Sequence, residues 1–240
     1  MSKTWDVVIV GSGNAGLCAG IAACEGGAKV LMIEKADRDM AGGNTKYTAG
    51  AMRFAYNTNA DLLPLLAAPD DPRLSRTDFG SYTEEKFATD LLGFNDGASL
   101  TEEQHILVSQ SYDTMVWLAG HGVTYDPIWA RQSFEKKEQI VFWGGLALAA
   151  ENEGVGLFDM ELAAYKNLGG ELRCGCEFKS LLRCEDAITG VVLASGEQIA
   201  AKAVILACGG FESNKEMRAK LIGAEWGAAK VRGTPHNTGD

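Results

Sequence analysis

Apolar residues occur along the chain in short uninterrupted runs and in helical periods. The run Trp5–Val10 predicts a buried parallel strand, because a strand covered on both faces needs no polar alternation. Small apolar residues at Asn14–Glu25 predict a helix, which the glycines at 26 and 27 end. Ala28–Glu34 then predicts a second strand. Together these segments predict a strand–helix–strand unit.

Beyond residue 100, helices and short strands follow one another. Thr101–His121 and Gly154–Leu168 have helical periodicity, and Thr101 is a suitable N-cap. The apolar positions expected in the first of these helices are Ile106, Val108, Met115, Val116 and Leu118. After residue 170 the period changes from helical to alternating. That change predicts the strands Glu171–Arg173, Phe178–Cys184, Ile188–Ala194, Gln198–Ala200 and Ala203–Ala207 and a short helix Ser213–Ile222.

Composition and charge narrow the class of protein. A chain of 240 residues with 46% hydrophobic residues and 29 glycines can bury a substantial core and suits an α/β fold with many tight turns. The net charge of −10 argues against nucleic acid or an anionic membrane as a partner. The first predicted strand follows MSKTW directly, and no apolar run reaches membrane-spanning length. We therefore expect a cytoplasmic protein without a signal peptide or a membrane span.

The six cysteines do not have the spacing of a metal site. They include no CxxC pair and no Cys/His cluster, and they are too sparse for a disulfide scaffold. We therefore expect no metal site, and we expect small buried thiols in a reducing compartment.

The segment DVVIVGSGNAG matches the pattern GxGxxG after a strand and before a helix. Gly11 would allow the tight turn, Gly13 would let a pyrophosphate approach the backbone, and Gly16 would let the helix pack on the strand. The helix N-terminus would offer N–H groups and a positive dipole to phosphates. Glu34, at the end of the second strand, would accept hydrogen bonds from ribose hydroxyls. A structural turn with a surface Glu is the alternative, and the pattern alone does not separate FAD from NAD.

Two further segments favour FAD. Gly42–Lys46 and Ala49–Met52 resemble the flavin loop of the fumarate reductase/succinate dehydrogenase flavoprotein family, with an ordinary glycine-rich loop as the alternative. The similarity covers nearly the whole chain and points to the tricarballylate dehydrogenase branch. It rests on GGNTKYTAGAMRFAY, SYDTMVWLAGHGVTYDP, FWGGLAL, VILACGGFESNKEMR and KVRGTPHNTGD. The resemblance implies an α/β fold: a Rossmann-type FAD/NAD(P)-binding domain, glutathione-reductase-like, with a small β-meander.

The resemblance also implies roles for individual residues. Ser12, Asn14 and Ala15 would line the pyrophosphate, beside the three glycines of the turn. Glu34 and Lys35 would meet the adenosine ribose and its surroundings. Five residues would lie along the flavin: Gly43, Asn44, Thr45, Ala49 and Gly50. The remaining cofactor residues are Phe178, with its backbone against adenine, Ala207, Cys208 and Gly209, which let the dinucleotide pass, and Asp240 in the family's TGDG loop.

One position departs from part of the family. Members of the succinate dehydrogenase type carry a histidine in the flavin loop that bonds covalently to FAD. The matching position here is Asn44. The resemblance therefore implies that FAD is bound non-covalently.

The chemistry of the family lies mostly outside the motifs present here. Members move a hydride between flavin N5 and a C–C bond beside a carboxylate, which arginines clamp. The residues responsible lie mainly in a clamp domain and a C-terminal segment after the TGDG loop. We therefore expect residues 1–240 to be an FAD-binding domain that is incomplete at its C-terminus, with 58–145 as a mostly helical excursion. Arg53 and His236 are the candidates for catalysis, against a surface arginine and a structural loop histidine.

Three functions are compatible with these observations. The first is an FAD-dependent oxidoreductase of a small polycarboxylate such as tricarballylate, working with a separate electron-transfer protein. Fumarate, urocanate and 3-ketosteroids remain possible substrates within the same family. The second is an FAD-binding fragment, or a subunit of a split enzyme that needs a complementary C-terminal chain. The third is an NAD-binding protein, against which the segments AGGNT and LACGGF argue.

Overall fold

The computed structural model describes residues 4–239. In that range the strands, numbered in chain order, are β1 (Trp5–Val10), β2 (Val30–Ile33), β3 (Ala51–Met52), β4 (Thr77–Asp78), β5 (Tyr125–Pro127), β6 (Ser133–Lys136), β7 (Gln139–Phe142), β8 (Leu148–Ala150), β9 (Glu171–Arg173), β10 (Phe178–Cys184), β11 (Ala187–Leu193) and β12 (Gln198–Leu206). The α-helices are α1 (Asn14–Glu25), α2 (Asn59–Leu62), α3 (Glu84–Leu92), α4 (Glu102–Gly120), α5 (Trp129–Gln132), α6 (Glu153–Asn167) and α7 (Lys215–Leu221). Short 3-10 helices span Gly43–Tyr47, Leu63–Leu65, Pro72–Arg76 and Ala224–Ala228.

The chain divides into two compact units, residues 4–48 with 157–239, and residues 49–156. The first unit is built on a six-stranded sheet in the order β10–β11–β12–β1–β2–β9. Its strands β12, β1, β2 and β9 are parallel, whereas β10, β11 and β12 form an antiparallel meander. The sheet confirms the predicted α/β class and the predicted β-meander.

The centre of this sheet is apolar on both faces. Val8 and Leu31, on neighbouring strands, are fully buried, as expected for parallel strands covered on both sides. The strand register aligns Val10 at the end of β1 with Ile33 of β2 and Leu206 of β12. The loops that follow these three strands therefore start side by side at one edge of the sheet.

Helix α1 has the bounds that the sequence predicts. It begins after Gly13 and ends at Gly26, and it buries Leu17 and Ile21, which lie one turn apart. Gly20 faces Tyr165, and a Cβ on Gly20 would come within 2.8 Å of the Tyr165 ring. The small residues of this helix therefore allow close packing that a larger side chain would prevent.

The last strand of the sheet differs from the prediction. Gln198–Ala200 and Ala203–Ala207 were expected as two strands, but one continuous strand, β12, covers Gln198–Leu206. Its first residues pair antiparallel with β11, and from Ala201 onward it pairs parallel with β1. The strand therefore changes its partner and the direction of its pairing at this point, which a pattern read along one segment does not reveal.

The second unit contains two three-stranded sheets, β3–β8–β5 and β4–β7–β6, with α2 to α5 around them. The ring of Phe79 packs on that of Phe142 at 4.6 Å between centroids, and Trp129 packs on Phe142 at 5.6 Å. These aromatic contacts give the unit a core of its own. The pattern along 58–145 did not indicate the strands, and the proposed excursion with those boundaries stays a prediction.

Helix α4 confirms the predicted N-cap, and it buries three of the five predicted apolar positions. The Thr101 hydroxyl and the Gln104 side chain each accept a hydrogen bond from the other residue's backbone N–H. Val108, Met115 and Leu118 are buried on one stripe. Ile106 and Val116, the other two predicted apolar positions of the helix, are exposed, because neither lies at a three- or four-residue spacing that continues this stripe.

Two other expectations concern the cysteines and the membrane. All six cysteines are free, but none is fully buried and Cys184 is exposed, so the expectation of buried thiols was wrong. Cys176 and Cys208 are partly buried and pack against the core of the sheet. Within residues 4–239, no helix has the length and apolar character needed to cross a membrane.

Candidate functional site

A cavity of about 410 Å³ opens where β1, β2 and β12 end in the first unit. Loops at the carboxyl ends of parallel strands are where α/β sheets bind ligands. Twelve predicted cofactor residues line it: Gly11, Ser12, Gly13, Asn14, Ala15, Glu34, Gly43, Asn44, Thr45, Ala207, Cys208 and Gly209. The catalytic candidate His236 also lines it, with Leu206 and Asn237.

Two glycines of the turn are required by close backbone contacts. Gly11 has φ of +102°, and a Cβ there would lie 2.3 Å from the carbonyl oxygen of Ala207. At Gly16 a Cβ would lie 2.1 Å from the carbonyl oxygen of Gly11. Both distances are far below van der Waals contact, so any side chain would open the turn. The turn therefore brings β1, α1 and the end of β12 against one another.

Gly13 and Gly43 serve a different purpose, because they leave space in the cavity. A Cβ on Gly13 would meet nothing closer than the Thr45 hydroxyl at 3.5 Å, and one on Gly43 nothing closer than 4.0 Å. Both residues line the cavity, so a side chain at either would extend into it. A dinucleotide needs this close approach to the backbone at its diphosphate.

The N-terminus of α1 provides hydrogen-bond donors at the same place. The backbone N–H groups of Ala15 and Gly16 donate to no protein acceptor within residues 4–239. The first turn of the helix carries no acidic side chain that would neutralise its positive end. Together with the space at Gly13, these groups suit an anion such as a diphosphate.

Ser12 and Glu34 join the turn to the end of β2. One carboxylate oxygen of Glu34 accepts from the Ser12 N–H at 3.0 Å and from its hydroxyl at 2.6 Å, and the other accepts from the Ala36 N–H at 2.9 Å. The Ser12 hydroxyl accepts from the Gly42 N–H at 3.1 Å. Three of the roughly four acceptor positions of the carboxylate are therefore used by the described residues, which leaves one for a ligand in the cavity that Glu34 lines.

Thr45 supports the opposite wall of the cavity. Its hydroxyl accepts a hydrogen bond of 2.9 Å from the Asn14 N–H, the first amide of α1. One of the unpaired amides of the helix end is thereby satisfied by the flavin-loop segment. This bond fixes the distance between the GxGxxG turn and the 3-10 helix Gly43–Tyr47.

A carboxylate orders two carboxamides at the far end of the cavity. Asn44 and Asn237 both donate through Nδ2 to Oε1 of Glu212, at 2.7 Å for Asn237. The Asn44 Oδ1 atom accepts from the Thr234 N–H at 2.9 Å. Both the Nδ2 and the Oδ1 atom of the Asn44 carboxamide are therefore hydrogen-bonded within the protein. Gly209 permits this arrangement, because a Cβ there would lie 2.6 Å from Asn237 Nδ2.

Several predicted cofactor residues lie elsewhere. Gly16 is packed under the turn, and the Lys35 ammonium donates to the Thr238 hydroxyl at 2.7 Å. Phe178 begins the edge strand β10 and packs against the core of the sheet, and it does not line the cavity. The roles of Lys35 and Phe178 toward adenosine stay predictions. Asp240 lies outside the described residues.

The remaining candidates belong to the second unit. Ala49 and Gly50 precede β3, and Gly50 has φ of +65° against the Glu153 backbone. Arg53 is half-exposed, lies 3.7 Å from Asp90 and stacks on the Tyr82 ring at 5.2 Å. These contacts already engage its guanidinium. The flavin contacts of Ala49 and Gly50 and the catalytic role of Arg53 stay predictions.

Sequence reasoning missed Leu206, Asn237 and Glu212. Leu206 ends a strand whose next residue was already assigned to the cavity, so the strand end was the available signal. Asn237 lies one residue beyond His236 in a segment that the resemblance includes. Glu212 gave no signal, because its role depends on contacts with residues distant in sequence. Within the described part of the chain, no group of three or more His, Cys, Asp or Glu side chains is placed to hold a metal.

Comparisons with known proteins identify the class of this site. Residues 6–240 match the FAD binding domain family, so the chain belongs to that family and binds FAD. The residues around the cavity fit this cofactor on structural grounds: the space at Gly13, the free N–H groups of α1 and the acid at the end of β2 are what a dinucleotide requires.

Three curated relatives of the chain are named as reductases. It is 30% identical over 228 residues to digoxin reductase of Eggerthella lenta, and the matched region covers 90% of this chain and 37% of that protein. It is 31% identical over 231 residues to urocanate reductase of the same organism, covering 90% and 33%. The fumarate reductase (cytochrome) of Shewanella frigidimarina is 31% identical over 223 residues, covering 91% and 35%. The chain thus spans about a third of the length of these relatives.

Solved structures share the fold. A flavocytochrome c3 fumarate reductase in its open conformation matches with a TM-score of 0.73 at 24% identity, over 99% of this chain and 39% of that one. The 3-ketosteroid-Δ4-(5α)-dehydrogenase of Rhodococcus jostii matches with a TM-score of 0.70 at 18% identity, over 98% and 52%. At these identities the likeness supports the fold of the domain.

The Ser12→Ala substitution should destabilise the first unit. It leaves the Gly42 N–H without its acceptor and removes one donor from Glu34 in a fully buried position. We expect a loss of about 1–3 kcal/mol in the free energy of unfolding, measured by urea denaturation. Ser180→Ala, on the exposed strand β10, serves as the control and should change stability by less than about 0.5 kcal/mol. Equal stabilities for the two variants would contradict the role of Ser12.

Proposed function

We propose that the chain is the FAD-holding part of an oxidoreductase that acts on a small polycarboxylate. The observation that carries the proposal is the cavity at the ends of β1, β2 and β12, lined by the GxGxxG turn and by the flavin-loop segment. The walls of the cavity come from segments that are far apart in the sequence. Each of these segments meets a different requirement for binding a dinucleotide. An NAD-binding protein is disfavoured, because the chain belongs to the FAD binding domain family.

The residues of the cavity divide the work of holding FAD. The amide of Ala15, which lines the cavity, would donate to the diphosphate, and the diphosphate would lie against Gly13. The free acceptor position of Glu34 would receive a ribose hydroxyl. Asn44 and Thr45 would face the flavin half of the cofactor, supported by Glu212 and by the helix end.

Bound FAD supplies a flavin ring that accepts or donates a hydride. The residues of this chain that line the cavity would position the cofactor. The backbone N–H of His236 donates to the Thr234 hydroxyl at 3.3 Å. The side chain of His236 is the candidate to hold or move a proton at this end of the cavity. Arg53 is the candidate to contact a carboxylate of the substrate, after exchange of its contact with Asp90.

Tricarballylate is the substrate that the motifs favour. The relatives named fumarate reductase and urocanate reductase carry the names of carboxylates, which supports a carboxylate substrate. A steroid is the competing class, as in the structurally similar 3-ketosteroid dehydrogenase. A separate electron-transfer protein would exchange electrons with the flavin, and we place the protein in the cytoplasm.

A second candidate function is an FAD-binding fragment or a subunit of a split enzyme without activity alone. It is favoured by one observation, the coverage of only about a third of the curated relatives. In this case a complementary C-terminal chain would supply the residues that clamp and protonate the substrate. The cavity and its cofactor would be the same in both cases.

Non-covalent attachment is proposed from the chemistry of Asn44. A carboxamide nitrogen is a poor nucleophile, and both ends of this carboxamide are engaged by Glu212 and Thr234. Denaturation of the FAD-loaded chain in acid should therefore release all of the flavin into the filtrate as unmodified FAD, measured by its fluorescence and chromatographic retention. Flavin that stays with the denatured polypeptide would contradict this attachment mode.

Two glycine substitutions separate the cofactor space from the fold. Gly13→Val should lower FAD affinity by at least about tenfold while the free energy of unfolding changes little, because the added side chain extends into the cavity and Gly13 has an ordinary extended backbone. Gly11→Ala should instead destabilise the apo chain, since its Cβ would meet Ala207. Flavin fluorescence quenching and thermal unfolding of both variants provide the measurements. A Gly13→Val chain that binds FAD as tightly as the unaltered chain would exclude the cavity as the cofactor site.

Anaerobic titration distinguishes the two candidate functions. For the oxidoreductase of a polycarboxylate, we expect tricarballylate to bleach the visible absorption of the FAD-loaded chain, whereas a 3-ketosteroid does not. Chemical reduction by dithionite controls for a flavin that is accessible to reductant. A chain that holds FAD and is bleached by dithionite but by neither organic compound would support the binding fragment.

A further inference from the structure

A buried acid lies behind the cavity in the first unit. Glu161 on α6 is fully buried, and within residues 4–239 its Oε2 atom has no hydrogen-bond partner. Burying a carboxylate in this way is costly unless it is paired or neutral. No step of the proposed cofactor binding uses this side chain, so its presence in the core requires another explanation.

The Cys18 thiol connects Glu161 to the cavity. Its Sγ atom lies 3.8 Å from Oε1 of Glu161 and 3.3 Å from Oδ1 of Asn14, which lines the cavity. A thiol has one hydrogen and donates to one acceptor at a time. The side chain of Asn14 therefore keeps its thiol donor only while Glu161 does not take it.

Glu161 is close to the helix end that would receive the diphosphate. Asn14 is the first residue of α1, and Cys18 lies four residues further along, about 6 Å by helix geometry. A negative charge on Glu161 would compete with a bound anion for the same positive helix end. This competition makes the charge of Glu161 relevant to FAD.

The surroundings of Glu161 favour the neutral carboxyl group. Burial raises its pKa to about 8, and the Cys18 contact opposes that rise. Burial also raises the pKa of Cys18 to about 12, so the thiol stays protonated in the same range. No cation forms an ion pair with Glu161 among the described residues. The other titratable or charged groups around α6 in this unit are Tyr165, Asp159 and Lys166 of the helix, Cys24 of α1, Arg38, Asp39 and Lys46 of the loop after β2, and Cys174.

We propose that Glu161 is a proton-binding site linked to FAD, and that tight binding of the dinucleotide requires its carboxyl group to be protonated. Ionisation would add a negative charge behind the N-terminus of α1 and would draw the Cys18 thiol away from Asn14. Both effects oppose the diphosphate. The inference depends on the proposed placement of FAD in the cavity at Gly13.

The sign of the linkage follows from the direction of the shift. Without FAD, Glu161 releases its proton near pH 8, and a bound dianionic diphosphate holds the proton to higher pH. FAD affinity should therefore be constant below this range and fall as the pH rises through it. Within the same window, FAD binding should take up protons from solution.

Affinity measured against pH tests the inference. We expect the dissociation constant of FAD to rise about tenfold between about pH 7 and about pH 9.5 in the unaltered chain, as expected for charges on the order of 10 Å apart. Glu161→Gln, which cannot ionise, should remove most of that rise. Asp159→Asn, at an exposed acid of the same helix, is the matched control and should keep it. An unchanged pH profile in Glu161→Gln would overturn the inference.

Proton uptake tests the inference without any variant. Calorimetric titration of the unaltered chain with FAD near pH 8.5, in two buffers of different ionisation enthalpy, should show a fractional uptake that vanishes at about pH 6. Equal heats in the two buffers at both pH values would overturn the linkage. Failure to bind FAD at about pH 6 would instead contradict the proposed cofactor site, so the two failures are distinguishable.

Discussion

The hydrogen bonds between Ser12 and Glu34 are the interaction on which the rest of the site depends. They join the turn after β1 to the end of β2, and through Gly42 they hold the flavin-loop segment against both. Because the carboxylate and the hydroxyl are buried, each lost partner would leave a polar group without solvent. The acid that the motif assigns to ribose therefore has a second task, since it fixes the shape of the turn that faces the diphosphate.

The glycines of the cavity fall into two groups: some lack a side chain because neighbouring backbone packs against them, and others lack one so that the cavity stays open. Gly11 and Gly16 are needed because backbone from neighbouring elements occupies the space of their side chains, whereas Gly13 and Gly43 leave space open. At the other end of the cavity the order comes from side chains, because the Glu212 carboxylate accepts hydrogen bonds from two carboxamides and fixes their orientations. The cavity is thus defined by rigid backbone on one side and by an ordered polar cluster on the other.

Local patterns predicted the elements that depend on local interactions. The strand Trp5–Val10, the helix Asn14–Glu25 and the N-cap Thr101 follow from burial on both faces, small-residue packing and capping, and all were confirmed. The turn residues of the cavity were predictable because GxGxxG carries its own geometric requirement. By contrast, glutamate is a residue type that usually lies at the surface. Glu212 contacts Asn44 and Asn237, and Glu161 contacts Cys18. Most of these partners are distant in sequence, so no local pattern indicated the two sites. The continuity of β12 was missed for the same reason, since two different partners determine its pairing.

The pairing of β12 has a consequence for how the protein acquires its cofactor. Trp5 pairs with Ala201 and Val10 with Leu206, so the central strand β1 is paired with residues far away in the sequence. Contacts of such long sequence separation form late in folding. During synthesis the GxGxxG segment emerges well before the wall formed by Ala207, Cys208 and Gly209. Until residues 207–209 have been synthesised, a nascent chain therefore carries the nucleotide motif without the complete pocket in which a nucleotide could be held.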